Sequence, residues 1–450
     1  MSAPNFIIFL TDDQGYGDLS CMGCADFRTP RLDRMARDGA RFTDWYSNSP
    51  VCSPSRAALL TGRYPGNAGV RSILAGHRTA SGLPQSTPTL ATRLKQLDYQ
   101  TYMTGKWHLG LAESSRPHQH GFDRWYGFMA GCIDYYSHIF YWGMNNPGPG
   151  INPTHDLWED GVEQWQDGEY FTEMITAKAL AYLRDAAKED RPFFLYVPYN
   201  APHYPMHAPR SYMDRFADLP WDRQVMAAML AAVDDSVGAI LDEVERLGLA
   251  DNTCSFFMAD NGPSRETRNW LDGTLDPYYG GSAGKLKGHK FSLYEGGIRV
   301  PGLMHWPGRI PAGQILDQPC AAMDIFPTFL NAAGGDIASG EIDGIDLMPY
   351  LTGGQVPPER AIFWEMGDQT AVRRGNWKLV LNGQLVEGAP PEDAVHLCDL
   401  SRDIGERDNL GDAHPDLTAE LQAAAQTWRQ GIEARWDREY SPQKQGTVTH

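Results

Sequence analysis

The sequence predicts an α/β fold: a large mixed, mostly parallel sheet sandwiched by helices, with a smaller C-terminal α+β subdomain. Three observations predict it. Short apolar runs alternate with amphipathic helical stretches, as in a parallel sheet covered on both faces. Four of these runs end in clusters of polar, chemically capable residues. Beyond about residue 335 the plan changes to short strands separated by turns.

The first strand is Phe6 to Leu10, which runs into Thr11, Asp12, Asp13 and Gln14. Leucines at 90, 94 and 97 make a helical stripe that leads to a strand at Gln100 to Thr104 and then to Lys106 and His108. Glu173 to Lys188 reads as helix, followed by a strand at Pro192 to Pro198 and by Asn200 and His203. Apolar residues from Met226 to Leu247 keep helical spacing over about six turns. The strand Cys254 to Met258 follows and ends in Asp260 and Asn261. In open parallel sheets ligands bind beyond the carboxyl ends of the strands, so four loaded ends point to one site. Pro327 to Gly335 reads as a helix with its C-cap. Short antiparallel strands are expected at Ala361 to Trp364, Thr370 to Arg373 and Trp377 to Leu381, and a closing helix at Leu417 to Ile432. The division is a catalytic domain over 1–355 and a subdomain over 356–450.

The chain of 450 residues carries 57 acidic against 39 basic side chains, a net charge of −18. Such a surface repels polyphosphates and excludes a general nucleic-acid binder. Seven cysteines, an odd number over this length, do not make a disulfide scaffold. The longest apolar stretch, Val225 to Val233, is far short of the ~20 residues of a membrane span. No leader pattern precedes Asn5, so the expectation is a cytoplasmic chain that enters no membrane.

Asp12, Asp13, Asp260 and Asn261 offer oxygen ligands only, which suits a hard divalent cation rather than zinc. Either pair alone is most simply a turn; together, after buried strands, they read as a metal site. Cys52 stands just ahead of a helix start at Ser53, Pro54 and Ser55, where amide donors favour an anion, and Arg56 adds a fixed positive fork. A buried free cysteine is the plainer alternative. The Gly280 to Gly288 run lacks the spacing of a phosphate-binding Walker loop, and its lysines are expected to line or flank an anion site. The aromatic stretch Trp125 to Trp142, with His138 inside it, offers either a stacking surface for a sugar or aryl group or a core contact.

Cys52-Ser-Pro-Ser-Arg56 resembles the Cys-x-Pro-x-Arg signature of type I sulfatases, with Leu60-Thr-Gly-Arg63 following as in that family. Asp12-Asp13, Gly105-Lys-Trp-His-Leu-Gly110, Ala201-Pro-His203, Asp260-Asn-Gly262 and Lys290 before Glu295-Gly-Gly-Ile-Arg-Val-Pro301 stand in family order. The resemblance is strong over residues 5 to about 335. It implies an alkaline-phosphatase-like fold and an arylsulfatase-like sulfuric ester hydrolase acting on aryl or carbohydrate sulfate.

It also implies that a maturation enzyme oxidises Cys52 to Cα-formylglycine, whose hydrate binds a cation, Ca²⁺ more than Mg²⁺, beside Asp12, Asp13, Asp260 and Asn261. One hydroxyl of the hydrate attacks the sulfur, and the other then expels sulfate as the aldehyde reforms. A thiolate would form an S-sulfonate with no internal exit, whereas a geminal diol has one built in. Arg56, Lys106 and Lys290 would stabilise the sulfuryl oxygens, with His203 the general acid for the leaving oxygen and His108 the partner of the second hydroxyl. The Asp134-Tyr135-Tyr136-x-His138 run resembles a segment of arylsulfatase B-like and galactosamine sulfatases, which makes Tyr135, Tyr136 and His138 substrate-binding candidates and leans toward carbohydrate sulfate. A phosphodiesterase or phosphonate monoester hydrolase on the same fold, and a glycan binder with a dead site, remain the alternatives; a homo-oligomer stays open.

Overall fold

The computed structural model describes residues 3–140, 154–265, 280–338 and 340–441. A ten-stranded sheet organises the larger part of the chain. Its spatial order is Gln314–Leu316, Ala40–Phe42, Gly302–His305, Thr253–Ala259, Asn5–Thr11, Phe193–Pro198, Gln100–Lys106, Arg124–Phe128, Trp158–Glu159 and Val162–Glu163. The five adjacent strands from Thr253–Ala259 to Arg124–Phe128 are mutually parallel, and antiparallel neighbours flank them on both sides. The sheet is therefore mixed and mostly parallel, as expected.

The central strands read as unbroken apolar runs because both faces are covered. Every residue from Phe6 to Leu10 is fully buried, and Phe9 stands in register with Val197 on one side and Phe257 on the other. Two groups of helices supply the cover. Pro30–Asp38, Phe171–Ala186 and Trp221–Arg246 pack together, and so do Cys52–Thr61, Leu90–Lys95 and Ile325–Ala332. Trp221–Arg246 is long and apolar enough to cross a membrane by composition, yet most of its apolar stretch is buried against the protein core. Each fully buried Leu, Ile or Phe contributes about 1.5–3 kcal/mol, so these layers dominate the stability of the fold.

One glycine has a clear steric reason. Gly105 sits within its strand at φ 136°, and a Cβ there would lie 1.9 Å from the Pro198 carbonyl oxygen. A side chain would push apart the two strands that deliver Lys106 and the Asn200–His203 loop.

A four-stranded antiparallel sheet follows, Ala361–Met366, Gln369–Arg374, Trp377–Leu381 and Val395–Asp399, backed by the helix Pro415–Glu439. The fourth strand is one that sequence patterning missed. It is joined to the larger layer by an apolar cluster in which Tyr46, Leu293 and Tyr294 meet Ile362, Trp364 and Val380. Beside this cluster lies a buried ionic network. Lys378 donates to Glu295 at 2.9 Å and stands 2.9 Å from Glu406, a contact at ion-pair distance without hydrogen-bond alignment. Arg299 and Arg373 grip Asp44 at 2.9 and 2.7 Å, and the Tyr46 hydroxyl donates to Glu295 at 2.6 Å.

Candidate active site

Parallel pairing brings four strand ends to one edge of the sheet. The backbone amide of Asp260 donates to the Thr11 carbonyl, that of Asp12 to Ala201, and that of Tyr199 to Leu10, so the loops themselves are stitched together. Asp13 and His108 both adopt left-handed backbone conformations, at φ 61° and 52°. Such conformations strain a non-glycine residue, and here they turn both side chains out of the sheet edge.

Cys52 is the first residue of the helix Cys52–Thr61 and is 1% exposed. Its Sγ lies 3.2 Å from Asp12 Oδ1 and 4.0 Å from Asp13 Oδ1. Lys106 Nζ donates to Asp12 Oδ2. Arg56 makes two hydrogen bonds to Asp260 Oδ2, at 3.1 and 2.8 Å, and a third to the Lys106 carbonyl at 2.9 Å. Asp13 accepts from the Asn261 amide at 2.7 Å and from Lys290 Nζ at 3.0 Å. His203 Nδ1 donates to the Tyr204 carbonyl at 2.6 Å, which turns Nε2 toward Lys290 at 3.4 Å and Asp13 at 3.5 Å. His108 Nε2 donates to the Leu74 carbonyl at 3.3 Å, leaving Nδ1 as a buried acceptor without a partner.

Protonation follows from this packing. Burial alone would raise Asp13, but Lys290, His203 and the Asn261 amide outweigh it and hold the carboxyl at about 2. Burial and the neighbouring Asp12 push Asp260 up to about 7 against the pull of Arg56. Burial, then Lys106 and Arg56, depress His108 well below the usual imidazole range. Burial and Asp12 raise the Cys52 thiol, so an unmodified Cys52 is a protonated thiol and a poor nucleophile.

A cation fits this arrangement. Asn261 Oδ1 is buried and has no hydrogen-bond partner, which is costly unless something else satisfies it. Ligand atoms of Asp12, Asp13, Cys52 and His203 lie within 4.8 Å of one another. The formal charges of Arg56, Lys106 and Lys290 cancel those of Asp12, Asp13 and Asp260. With all three carboxylates ionised as ligands, a divalent cation would leave the site two positive charges in excess, ready for an anionic substrate. The cavity above is lined by Cys52, His108, His203 and Lys290 together with Leu74, Phe140, Tyr204 and Phe291. No spacing in the sequence marks the last four, because they reach the cavity from four separate segments of the chain.

Three expectations need correction. Tyr135 and His138 are fully buried and do not line the cavity. The Tyr135 hydroxyl instead donates to the carbonyls of Asn200 and His203, at 2.8 and 3.0 Å, and braces the loop that carries His203. Tyr136, half-buried against Tyr170 and His207, does not line the cavity. Lys285 is exposed, and Lys287 pairs with Glu392 at 2.6 Å, so neither joins the cationic cluster. Trp125, Tyr126 and Phe128 belong to the core, while Tyr141 and Trp142 lie outside the described residues.

Comparison with known proteins bears on the same residues. The family model described as Sulfatase matches residues 4–335. N-acetylgalactosamine-6-sulfatase of Canis lupus familiaris is 36% identical over 83% of this chain and 71% of that protein. Arylsulfatase A of Homo sapiens is 33% identical over 94% of this chain and 86% of its own length. Among solved structures, Ps i-CgsB in complex with k-i-k-neocarrahexaose superposes with a TM-score of 0.83 at 30% identity, covering 99% of this chain and 100% of that one.

Proposed function

The chain belongs to the sulfatase family, whose members hydrolyse sulfate esters, and from that premise we propose that it removes sulfate from a carbohydrate monoester through a side chain matured from Cys52. The observation that carries the reading is the single cavity in which Cys52, His108, His203 and Lys290 meet above Asp12 and Asp13. The carbohydrate preference draws on the relatives: one is named for an N-acetylgalactosamine sulfate, and one solved neighbour is complexed with a carrahexaose.

Asp12, Asp13, Asp260 and the free Asn261 Oδ1 would hold the cation, which supplies positive charge to the nucleophile and to the sulfuryl oxygens. Calcium suits the site better than magnesium, because magnesium retains several waters and these ligands are almost wholly buried. Lys106 and Lys290, each fixed by an aspartate, would face the non-bridging sulfuryl oxygens as charge develops on them. Arg56 holds Asp260 and the Lys106 carbonyl, so its part is to position the cation ligands. His108 Nδ1 is an acceptor that can take a proton from the hydroxyl of a matured position 52. His203 Nε2, beside Lys290, can receive a proton and return it to the leaving sugar oxygen.

Peptide mass spectrometry across Cys52, on chain produced with a formylglycine-generating enzyme, tests the nucleophile; full activity with only thiol at position 52 would refute it. Rates on 6-sulfated galactosamine derivatives, p-nitrophenyl sulfate and the matching phosphate esters test the substrate class. The expected order places the sugar sulfate first, and a preference for phosphodiesters would overturn it.

A further inference from the structure

A second group of side chains, remote in role from the cavity, carries the geometry of a metal site. His138, His155 and Asp167 each offer a ligand atom, and these atoms lie within 4.8 Å of one another. The two histidines face each other edge to face, with ring centroids 6.5 Å apart. Each has one ring nitrogen engaged and the other buried without any partner. His138 Nε2 lies 3.2 Å from the Glu169 carbonyl, which can only accept, so the proton is on Nε2 and Nδ1 is a bare acceptor. His155 Nδ1 lies 3.1 Å from the Glu163 carboxylate, so in the neutral ring the proton is on Nδ1 and Nε2, which has no partner, is the acceptor.

Two unsatisfied buried acceptors cost free energy unless something occupies them. Their opposite nitrogens are bound to a carbonyl and a carboxylate, the outer contacts that fix the tautomer and orientation of metal-bound imidazoles. The exposed Asp167 supplies the anionic ligand from the solvent side.

We propose that His138, His155 and Asp167 bind a first-row divalent metal ion, zinc by preference, with water completing a tetrahedron. Two imidazoles and one carboxylate suit zinc, whereas calcium and magnesium prefer all-oxygen sites. Zinc–ligand bonds of about 2.0–2.2 Å require the three groups to draw in from separations of up to 4.8 Å. His138 immediately precedes the strand Ile139–Phe140, and His155 pairs with Ile139 in the Thr154–His155 strand. The ion ties this two-stranded ladder to the loop after Val162–Glu163. It thereby fixes Phe140, which lines the catalytic cavity. Its part is to position a cavity wall.

The site is separable from the catalytic centre by experiment. The Cys52→Ala chain, with calcium in excess, removes the thiol and fills the oxygen-rich centre, and zinc is then titrated by competition with a chromogenic chelator. One zinc per chain is expected, with affinity reduced at least about 100-fold in Asp167→Asn and His155→Ala and roughly 10–100-fold in Glu163→Gln. Cobalt(II) in its place should give the intense visible absorption of a tetrahedral ion, lost in Asp167→Asn. Asp167 is exposed, so its variant reports on binding rather than folding. Absence of zinc from the parent chain, or undiminished affinity in Asp167→Asn, would overturn the assignment whether or not the protein proves to be a carbohydrate sulfatase.

Discussion

Two buried clusters in this molecule are composed alike. One gathers Asp12, Asp13, Asp260, Arg56, Lys106 and Lys290; the other gathers Asp44, Glu295, Glu406, Arg299, Arg373 and Lys378. Each contains three acids and three bases, and none of the twelve side chains is appreciably exposed. In the second the charges meet one another and the Tyr46 hydroxyl where the two sheets join, and even Glu406 Oε1, which lacks an aligned hydrogen bond, stands 2.9 Å from Lys378. The first leaves Asn261 Oδ1 and His108 Nδ1 unsatisfied and opens on a cavity. Equal composition and equal burial therefore do not identify a reactive centre. Unspent hydrogen-bonding capacity beside open space does.

The sharpest way to break this contrast is Cys52→Ala. It should remove turnover by about 10⁵-fold or more while moving the unfolding midpoint only slightly, as measured by kcat and by calorimetry. Lys378→Met probes the other cluster. Stranding Glu295 and Glu406 should cost about 3–5 kcal/mol in chemical denaturation, with kcat per folded molecule almost unchanged. A large loss of kcat there would erase the distinction between the clusters. Lys290→Met should lower kcat about 10²–10³-fold, a value that steady-state kinetics resolves readily. Chelation sharpens the comparison from outside: removing a cation present at 100 times its Kd should cost about 2.7 kcal/mol in stability. Lys378→Met should show the same calcium-dependent increment as the parent chain.

The smallest effect is one of pH. Burial, and the Glu295 carboxylate beside it, push Glu406 up to about 7 despite Lys378, while Lys378 and the two arginines overcome burial to hold Glu295 at about 2. Folding thus takes up a proton at Glu406 between its ordinary value near 4.5 and about 7. That contribution is fully present below 4.5 and lost as pH rises through 7. The contribution of Glu295 runs oppositely, present above 4.5 and lost as pH falls toward 2. Glu406→Gln should therefore flatten the decline in thermal midpoint from pH 5 to 8 relative to the parent chain. An unchanged slope would show that Glu406 does not titrate in that window.

Much of the first cluster was legible in the sequence and almost none of the second. Asp12-Asp13 and Asp260-Asn261 follow apolar runs whose burial on both sheet faces makes them readable as parallel strands, and parallel ends converge. The second cluster draws residues from Asp44 to Glu406 through an antiparallel sheet and several loops. Only Glu295 and Arg299 stand together in sequence, within the Glu295–Pro301 motif, and nothing local ties that motif to Asp44, Arg373, Lys378 or Glu406. Tyr135 and His138 misled because an aromatic run with a histidine looks the same whether it faces a cavity or fills a core. Val395–Asp399 was missed because Cys398 and Asp399 break the alternation that Val395, His396 and Leu397 begin.

The burial of Cys52 imposes a schedule. In the folded chain Cys52 is almost wholly buried and faces the cavity it shares with His108, His203 and Lys290, so a modifying enzyme that needs the extended backbone around it would have to act before the helix packs. Asp260 is translated about two hundred residues after Cys52, a delay of roughly 10–40 s at 5–20 residues per second. Until then the strand Thr253–Ala259 is not available to pair with Asn5–Thr11, and the sheet edge beside Cys52 is incomplete. On that reading, maturation of Cys52 would be a race between a modifying enzyme and a strand.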